Sequence, residues 1–275
     1  MQLPRHFKRY VAIGDSSTEG LEDPTADGGY RGWADRFAEH VARAQAEPLL
    51  YANLAVRGRK TRQVRDEQLA PALAMRPDLA TVFAGVNDVA RPSCDVAHVA
   101  ADLEHMLAAF RETGATVLTI TMPDLSAVVP LARLMRDRLL QLNDLVRAAT
   151  ERTGAHCIDL AQHEVGRDLR FWHADRLHGN SEGHRRIGLA FAARVGAVPD
   201  DGAWDAPLPP QAPPTVAQRV GAELAWARDY FVPWVWRHAR GMSSGDGRVA
   251  KRPALTPVRA EELAGPIRAT TRPVP

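Results

Sequence analysis

Ser16, Asp175 and His178 have the residue types and the spacing of a nucleophilic hydrolase site. Ser16 directly follows an apolar run in Gly14-Asp15-Ser16, and Asp175 precedes His178 by three residues. A serine needs a base to become a nucleophile, and the pKa of histidine suits that role near neutral pH. A carboxylate beside the far ring nitrogen would fix the tautomer and stabilise the imidazolium. Taken singly, Ser16 is more readily explained as a residue that caps a turn, and Asp/His pairs at this spacing are common on protein surfaces.

Two further segments could supply hydrogen-bond donors to a developing oxyanion. Gly58 ends the stretch 53–58, and Asn87 lies in the Gly-Val-Asn-Asp stretch 85–88. A glycine lets its backbone N–H approach a ligand without obstruction. An asparagine amide donates without competing for the transferred proton. In isolation, Gly58 could be an ordinary turn residue and Asn87 could form an Asx-turn.

These candidate residues fall largely where the predicted strands end. Short apolar runs alternate with amphipathic stretches from Tyr10 to about Val198, which is typical of a parallel sheet with helices on both faces. The predicted strands are Tyr10–Ile13, Leu49–Leu54, Leu79–Ala84, Thr116–Thr121 and His156–Leu160, and the predicted helices are Trp33–Ala46, Thr61–Met75, Val96–Thr113, Leu131–Thr153 and Glu182–Val195. Such sheets place their sites beyond the carboxyl ends of the strands. Together the candidates supply a nucleophile, an acid–base pair and two oxyanion donors. It is a poor explanation that each of them is an unrelated turn residue, so the sequence predicts a serine hydrolase.

With these motifs the chain resembles an SGNH hydrolase of the GDSL type over about residues 8–198. The resemblance rests on Ser16, Gly58, Asn87 and His178, each in its own sequence block. It implies an α/β fold, a flavodoxin-like three-layer sandwich with a five-stranded parallel sheet, and hydrolysis of acyl esters. It also implies that Ser16 is the nucleophile, His178 the general base and then acid, and Asp175 the residue that orients it. The implied oxyanion hole combines the N–H groups of Ser16 and Gly58 with the Asn87 side-chain amide.

Composition excludes several other classes of protein. The chain has 275 residues, of which 45% are hydrophobic and 25% charged, and its formal net charge is +2. This is the composition of a globular protein, and the length allows a sizeable core. Without a clustered basic face, we expect no nucleic-acid partner. We also expect no transmembrane segment, since no run of about 18 apolar residues occurs. Cys94 and Cys157 build no disulfide framework, and the first residues lack a signal-peptide pattern, so we expect a cytoplasmic protein.

The remaining serines and histidines are expected to be structural. Ser17 stands where the namesake motif has Leu, at a position that varies in the family, and Ser126 lacks comparable partners. His184 falls on the last predicted helix, where we expect it to cap the helix or to lie exposed. His163 and His173 have acidic neighbours but belong to no HExxH motif or closed ligand set, so we expect no metal. Since neither a P-loop nor a GxGxxG motif occurs, we expect no cofactor.

A change in composition after Val198 predicts two units. These are a hydrolase domain over residues 1–199 and a C-terminal extension over residues 200–275, which opens with a Pro-rich linker at 207–214. The segment Val216–Arg240 is basic and rich in aromatic residues, namely Trp226, Tyr230, Phe231, Trp234 and Trp236. It could be a flap or interfacial segment that makes peripheral membrane contact or covers the site, or an appendage docked on the outer face of the domain. Residues from Gly241 onward are expected to be irregular.

The expected partner of the site is a small-molecule ester with a short or medium acyl chain, because no long apolar tunnel is evident. The loop Thr18–Gly32 should wall one side of the site, while Phe171 and Trp172 could form another wall or pack in the core. An acyltransferase on the same site is the nearest alternative. A catalytically idle module that binds a partner or a membrane through its tail is a second alternative, against which the intact Ser, Asp and His argue.

Overall fold

A central sheet of six strands organises the molecule, which is a computed structural model describing residues 6–26, 28–126, 129–233, 236, 240 and 243–258. The strands are β1 (Arg9–Gly14), β2 (Leu50–Asn53), β3 (Leu79–Phe83), β4 (Thr116–Ile120), β5 (His156–Ile158) and β6 (Arg252–Pro257). Their order in the sheet is β5-β4-β3-β1-β2-β6. Strands β1 to β5 run parallel, and β6 is antiparallel to β2. The predicted α/β sandwich and its five parallel strands are confirmed, and the sheet has an additional edge strand.

Helices follow most strands, as the alternation of patterns predicts. They are α1 (Ser16–Glu19), α2 (Gly32–Arg43), α3 (Thr61–Val64), α4 (Ala70–Ala74), α5 (Val86–Val89), α6 (Val96–Glu112), α7 (Arg136–Thr153), α8 (Ser181–Arg194) and α9 (Val216–Trp226). A π-helical turn at Arg65–Leu69 joins α3 to α4, so the single helix predicted there is irregular in its middle. Asp95 caps α6, because its side chain accepts a hydrogen bond from the backbone N–H of His98.

Two apolar layers cover the faces of the sheet. In β1, Tyr10 contributes to one layer and Val11 to the other, because successive side chains of a strand point to opposite faces. On the first face, Trp33 of α2 stacks on Phe191 of α8 with ring centroids 4.5 Å apart. On the second face, α6 and α7 pack against the sheet. The strands are thereby held between helices, and their carboxyl ends are fixed relative to one another.

The C-terminal extension departs from the sequence prediction. Residues from Gly241 were expected to be irregular, and this was wrong for β6, which pairs with β2 through the register Leu50–Pro257, Tyr51–Thr256 and Asn53–Arg252. Two prolines in the strand make the sequence resemble a loop. The prolines are tolerated because β6 lies at the edge of the sheet, the position to which proline is confined in sheets. The helix α9 is followed by a π-helical turn, Ala227–Phe231. Trp234 and Arg237 lie outside the described residues.

No helix in the described part of the chain is both long enough and apolar enough to cross a membrane.

Candidate active site

The structure brings Ser16, His178 and Asp175 into one chain of hydrogen bonds. The Nε2 atom of His178 lies 2.7 Å from Ser16 Oγ, and its Nδ1 atom lies 2.6 Å from Asp175 Oδ2. Ser16 begins α1 directly after β1, whereas Asp175 and His178 belong to the loop that leads into α8. Both distances are those of short hydrogen bonds. The arrangement can pass a proton from the serine hydroxyl to the imidazole.

Asp175 is held by more than the imidazole of His178. Its Oδ1 atom accepts hydrogen bonds from the backbone N–H groups of Leu177, at 2.9 Å, and His178, at 3.0 Å. Burial acts to raise the pKa of Asp175, but the nearby imidazole of His173, the hydrogen-bonded imidazole of His178 and the backbone N–H of His178 outweigh it and hold the pKa well below its usual range. The carboxylate therefore stays ionised, and each of its oxygens has a fixed partner.

The turn that presents Ser16 depends on a close approach between backbones. A Cβ atom on Gly14 would lie 2.4 Å from the carbonyl oxygen of Phe83 and 2.5 Å from Oγ1 of Thr18. Only glycine fits there, so β1 can run against β3 up to the point where the chain turns into α1. Asp15 then caps the turn, because its Oδ1 atom accepts from the backbone N–H of Ser17 at 3.1 Å.

Asn87 lies between the Ser16 turn and the Gly58 loop. Its Nδ2 group donates to Asp15 Oδ2 at 3.1 Å and to the backbone carbonyl of Arg59 at 3.0 Å. These bonds tie the amide to the chain neighbours of Ser16 and Gly58, whose N–H groups are the other predicted oxyanion donors. Both donor positions of the amide therefore have partners, and an oxyanion bound by Asn87 would have to replace one of them.

The Gly58 loop is tied to the helix that carries Ser16. The backbone N–H of Arg57 donates to Glu19 Oε2 at 2.7 Å, and its guanidinium forms an ion pair with the same carboxylate. Gly58 itself has a φ of 72°, in the left-handed region that favours glycine. The loop is therefore anchored to α1, the helix that begins at Ser16.

Sequence reasoning missed the part played by Asp15. Burial raises its pKa to about 7, against the hydrogen bond from Ser17, the charge of His178 and the hydrogen bond from Asn87. Its position directly before the predicted nucleophile was the signal available in the sequence. Asp15 thus links the serine turn to the amide of Asn87.

The prediction for His184 was wrong. Its side chain is fully buried, neither capping α8 nor exposed. Nδ1 accepts from the backbone N–H of Trp33 at 3.0 Å, and Nε2 donates to the carbonyl of Leu21 at 2.8 Å. Burial lowers the pKa of His184 to about 4. The neutral ring joins the loop after Ser16 to α2, and a periodicity argument could not detect these two backbone partners.

Phe171 and Trp172 are core residues and do not line an open wall. Phe171 is fully buried, and Trp172 donates its indole N–H to the carbonyl of Gly166 at 2.8 Å. The loop Thr18–Gly32 does approach the segment that carries Asp175 and His178. Oε2 of its Glu22 lies 3.4 Å from Nε2 of His173.

Glu22, His173 and Asp175 form the one candidate metal cluster among the described residues, with ligand atoms within 4.8 Å of one another. His173 Nδ1 lies 3.7 Å from Asp175 Oδ1. Because Oδ2 of Asp175 is bonded to His178 and Oδ1 to two backbone donors, a cation would compete for an occupied carboxylate. Nδ1 of His173 instead accepts a hydrogen bond from the backbone N–H of Asp175 at 3.4 Å, so His173 supports the backbone of the loop at Asp175.

Comparison with known proteins gives one family and a set of similar folds. A model of the GDSL-like lipase/acylhydrolase family matches residues 12–186. No curated protein matches the chain.

Several solved structures share the fold. A lipase/acylhydrolase from Enterococcus faecalis is 21% identical, with 68% of this chain and 95% of that chain covered and a TM-score of 0.57. LAE5, an alpha/beta hydrolase from a Lake Arreo metagenome, is 21% identical, with coverages of 69% and 95% and a TM-score of 0.58. A catalytic mutant of Axe2, an acetylxylan esterase from Geobacillus stearothermophilus, is 17% identical, with coverages of 69% and 94% and a TM-score of 0.55.

Proposed function

Because the chain belongs to the GDSL-like lipase/acylhydrolase family and is a carboxylic ester hydrolase, we propose that it cleaves short or medium acyl esters through an acyl-enzyme on Ser16. One observation carries the assignment of the nucleophile. The serine hydroxyl, the imidazole of His178 and the carboxylate of Asp175 form a continuous chain with separations of 2.7 and 2.6 Å. A module that only binds a partner has no use for these three groups in this order.

In the proposed reaction His178 takes the proton of Ser16 as Oγ attacks the ester carbonyl. Asp175, which stays ionised, stabilises the imidazolium that forms. The tetrahedral oxyanion receives hydrogen bonds from the backbone N–H groups of Ser16 and Gly58 and from Nδ2 of Asn87. His178 then gives its proton to the leaving alcohol. Water repeats the sequence on the acyl-enzyme, and the carboxylic acid leaves.

The burial of the site supports a small acyl group. Ser16 is only 9% exposed, and Phe171 and Trp172, which could have lined an acyl channel, are packed in the core. Axe2, an acetylxylan esterase among the similar structures, supports a short acyl group as well. A cytoplasmic location stays a prediction from the sequence, and the proposed chemistry does not depend on it.

The test compares Ser16→Ala with Ser17→Ala. Initial rates on p-nitrophenyl acetate, butyrate and octanoate give kcat/KM, and a fluorophosphonate followed by peptide mapping gives the labelled residue. We expect Ser16→Ala to lose hydrolysis by at least about 10⁴-fold and to lose labelling. Ser17→Ala should keep both, because the contact of Ser17 with Asp15 uses its backbone N–H. Normal turnover by Ser16→Ala, or labelling of another residue, would reject the nucleophile; fastest turnover of the octanoate would reject the short acyl preference.

A further inference from the structure

The chain carries a C-terminal arm, defined here as the described residues of 216–258, that lies outside the region matched by the family. We propose that this arm is part of the catalytic apparatus: its turn at Ser243–Gly245 positions the Gly58 loop, and its Trp226 holds the loop of Asp175. The inference rests on the proposed function, since it assigns positioning residues to that same site.

The first contact is between the arm and the oxyanion loop. A Cβ atom on Gly245 would lie 2.0 Å from the carbonyl oxygen of Arg57, and a Cβ atom on Gly58 would lie 2.4 Å from Oγ of Ser243. The hydroxyl of Ser243 also donates to the carbonyl of Gly58 at 3.4 Å. The backbones of the arm and of the loop thus meet at two glycines, Gly245 and Gly58. Gly58 is the residue whose N–H the proposed mechanism uses.

The turn of the arm is itself well fixed. The backbone N–H of Ser243 donates to Asp246 Oδ2 at 2.9 Å, and the backbone N–H of Gly245 donates to Ser243 Oγ at 3.2 Å. A few residues later, Nζ of Lys251 donates to the carbonyl of Arg31 at 2.7 Å and pairs with Asp35 at 2.9 Å. These bonds prevent the turn from moving away from the loop it supports.

The strand β6 extends the same support to the base of the oxyanion loop. It pairs with β2, the strand from which the chain runs on to Gly58. The arm therefore makes two contacts along this part of the chain. Its strand β6 pairs with β2, and its turn at Ser243–Gly245 contacts the Gly58 loop that follows β2. Because Gly58 has no side chain to pack, the direction of its N–H depends on such contacts from its neighbours.

The second contact is between the arm and the acid–base loop. The indole N–H of Trp226 donates to the backbone carbonyl of Asp175 at 3.1 Å. Glu223 pairs with the guanidinium of Arg176 at 2.7 Å, and that guanidinium lies 5.0 Å from the Trp226 ring centroid. Arg176 has a φ of 59°, an uncommon conformation for a residue with a side chain. The arm thus holds a strained residue between Asp175 and His178.

Both halves of the catalytic centre consequently share one support. The oxyanion donors and the acid–base pair come from separate loops, and the reaction requires them to keep a fixed distance. A displacement of about 1 Å in such a group can lower turnover by about 10²-fold. Residues of the arm do not touch the reacting atoms, and they act by positioning those that do.

The experiment uses two identical substitutions in the arm of the full-length protein. Gly245→Ala places a methyl group against Arg57, whereas Gly221→Ala, in α9, places it where no atom lies within 4 Å. With p-nitrophenyl butyrate we expect kcat of Gly245→Ala to fall by about 10- to 100-fold, with KM within about threefold of the parent. The Gly221→Ala variant should match the parent in both constants.

Two further readouts separate positioning from loss of structure. The pKa that governs kcat/KM should be the same in Gly245→Ala and the parent, because His178 and Asp175 are not displaced. Binding of phenylboronic acid, whose serine adduct is a tetrahedral anion, should weaken by the same factor as kcat/KM falls. A general loss of structure would instead lower the fraction of active protein. The molecules that remain folded would then bind phenylboronic acid with the affinity of the parent.

Ser243→Ala provides a variant without a steric clash, in case Gly245→Ala does not fold. It removes the hydroxyl that contacts Gly58 and Gly245, and we expect kcat to fall by about 3- to 10-fold, with Gly221→Ala again as its control. Turnover of Gly245→Ala and Ser243→Ala within twofold of their controls would overturn the role of the arm. Failure of the proposed function is a different result, since the parent itself would then show no hydrolysis that depends on Ser16.

Discussion

The replacement Asp175→Asn tests the proton pathway at a single atom. Two backbone N–H groups, of Leu177 and His178, point at Oδ1 from 2.9 and 3.0 Å. In the variant this position must be taken by the amide oxygen, because an NH₂ group would face two donors. The NH₂ group then occupies the place of Oδ2, 2.6 Å from Nδ1 of His178 in the parent. Nδ1 must accept, so the imidazole carries its proton on Nε2 and cannot take the proton of Ser16.

The expected loss follows from this wrong tautomer. In Ser-His-Asp triads the same change lowers kcat by about 10⁴, equivalent to about 5 kcal/mol of transition-state stabilisation. The assay is kcat on p-nitrophenyl butyrate at pH 7.5, with thermal unfolding as the check on folding. Asp205→Asn is the matched control, since Asp205 forms another Asp–His pair, 2.8 Å from His163 and outside the site. A folded Asp175→Asn variant with kcat within tenfold of the parent would refute the assigned pathway.

Two other predictions concern the oxyanion hole and the buried histidine. Asn87→Ala should lower kcat by about 10²–10³ through the lost donor, with little change in Tm, and a kcat within threefold of the parent would remove Asn87 from the mechanism. Burial lowers the pKa of His184 from an ordinary 6.5 to about 4. Between these two pH values the unfolded protein therefore binds a proton at His184 and the folded protein does not. Its contribution to stability is therefore complete above pH 6.5 and falls by about 3 kcal/mol by pH 4. Urea unfolding at pH 7 and pH 5 should give a flatter pH dependence for His184→Gln than for the parent, and equal slopes would contradict the linkage.

Much of the fold followed from local pattern. The strand β3 reads Leu-Ala-Thr-Val-Phe and is buried along its whole length, which the lack of polar alternation predicts for a strand between two helical layers. The antiparallel edge strand β6 could not be found in this way. It contains Pro253 and Pro257 and is largely exposed, so neither composition nor periodicity distinguishes it from a loop, and its pairing with β2 is a long-range contact.

The site was predictable to the extent that its residues have distinctive chemistry. Ser16 and the Asp175–His178 pair were selected as a nucleophile and its base, and the structure brings them into contact. The bond from Asn87 to Asp15 and the arm at Gly58 were not predicted. Each joins segments far apart in the chain through a backbone atom or a small side chain, and a single sequence records no such pairing.

The surroundings of Asp175 and Asp15 shift the pKa values of these two acids in opposite directions. The pKa of Asp175 lies well below its usual range, whereas burial raises that of Asp15 to about 7. In the proposed mechanism a negative charge on Asp175 stabilises the imidazolium, whereas a second full charge on Asp15 would lie beside Asn87, one of the proposed oxyanion donors. Pairs of acids whose surroundings separate their pKa values in this way divide such roles in other active sites. Because its pKa is about 7, Asp15 is only partly ionised near neutral pH, and this reduces the negative charge beside Asn87.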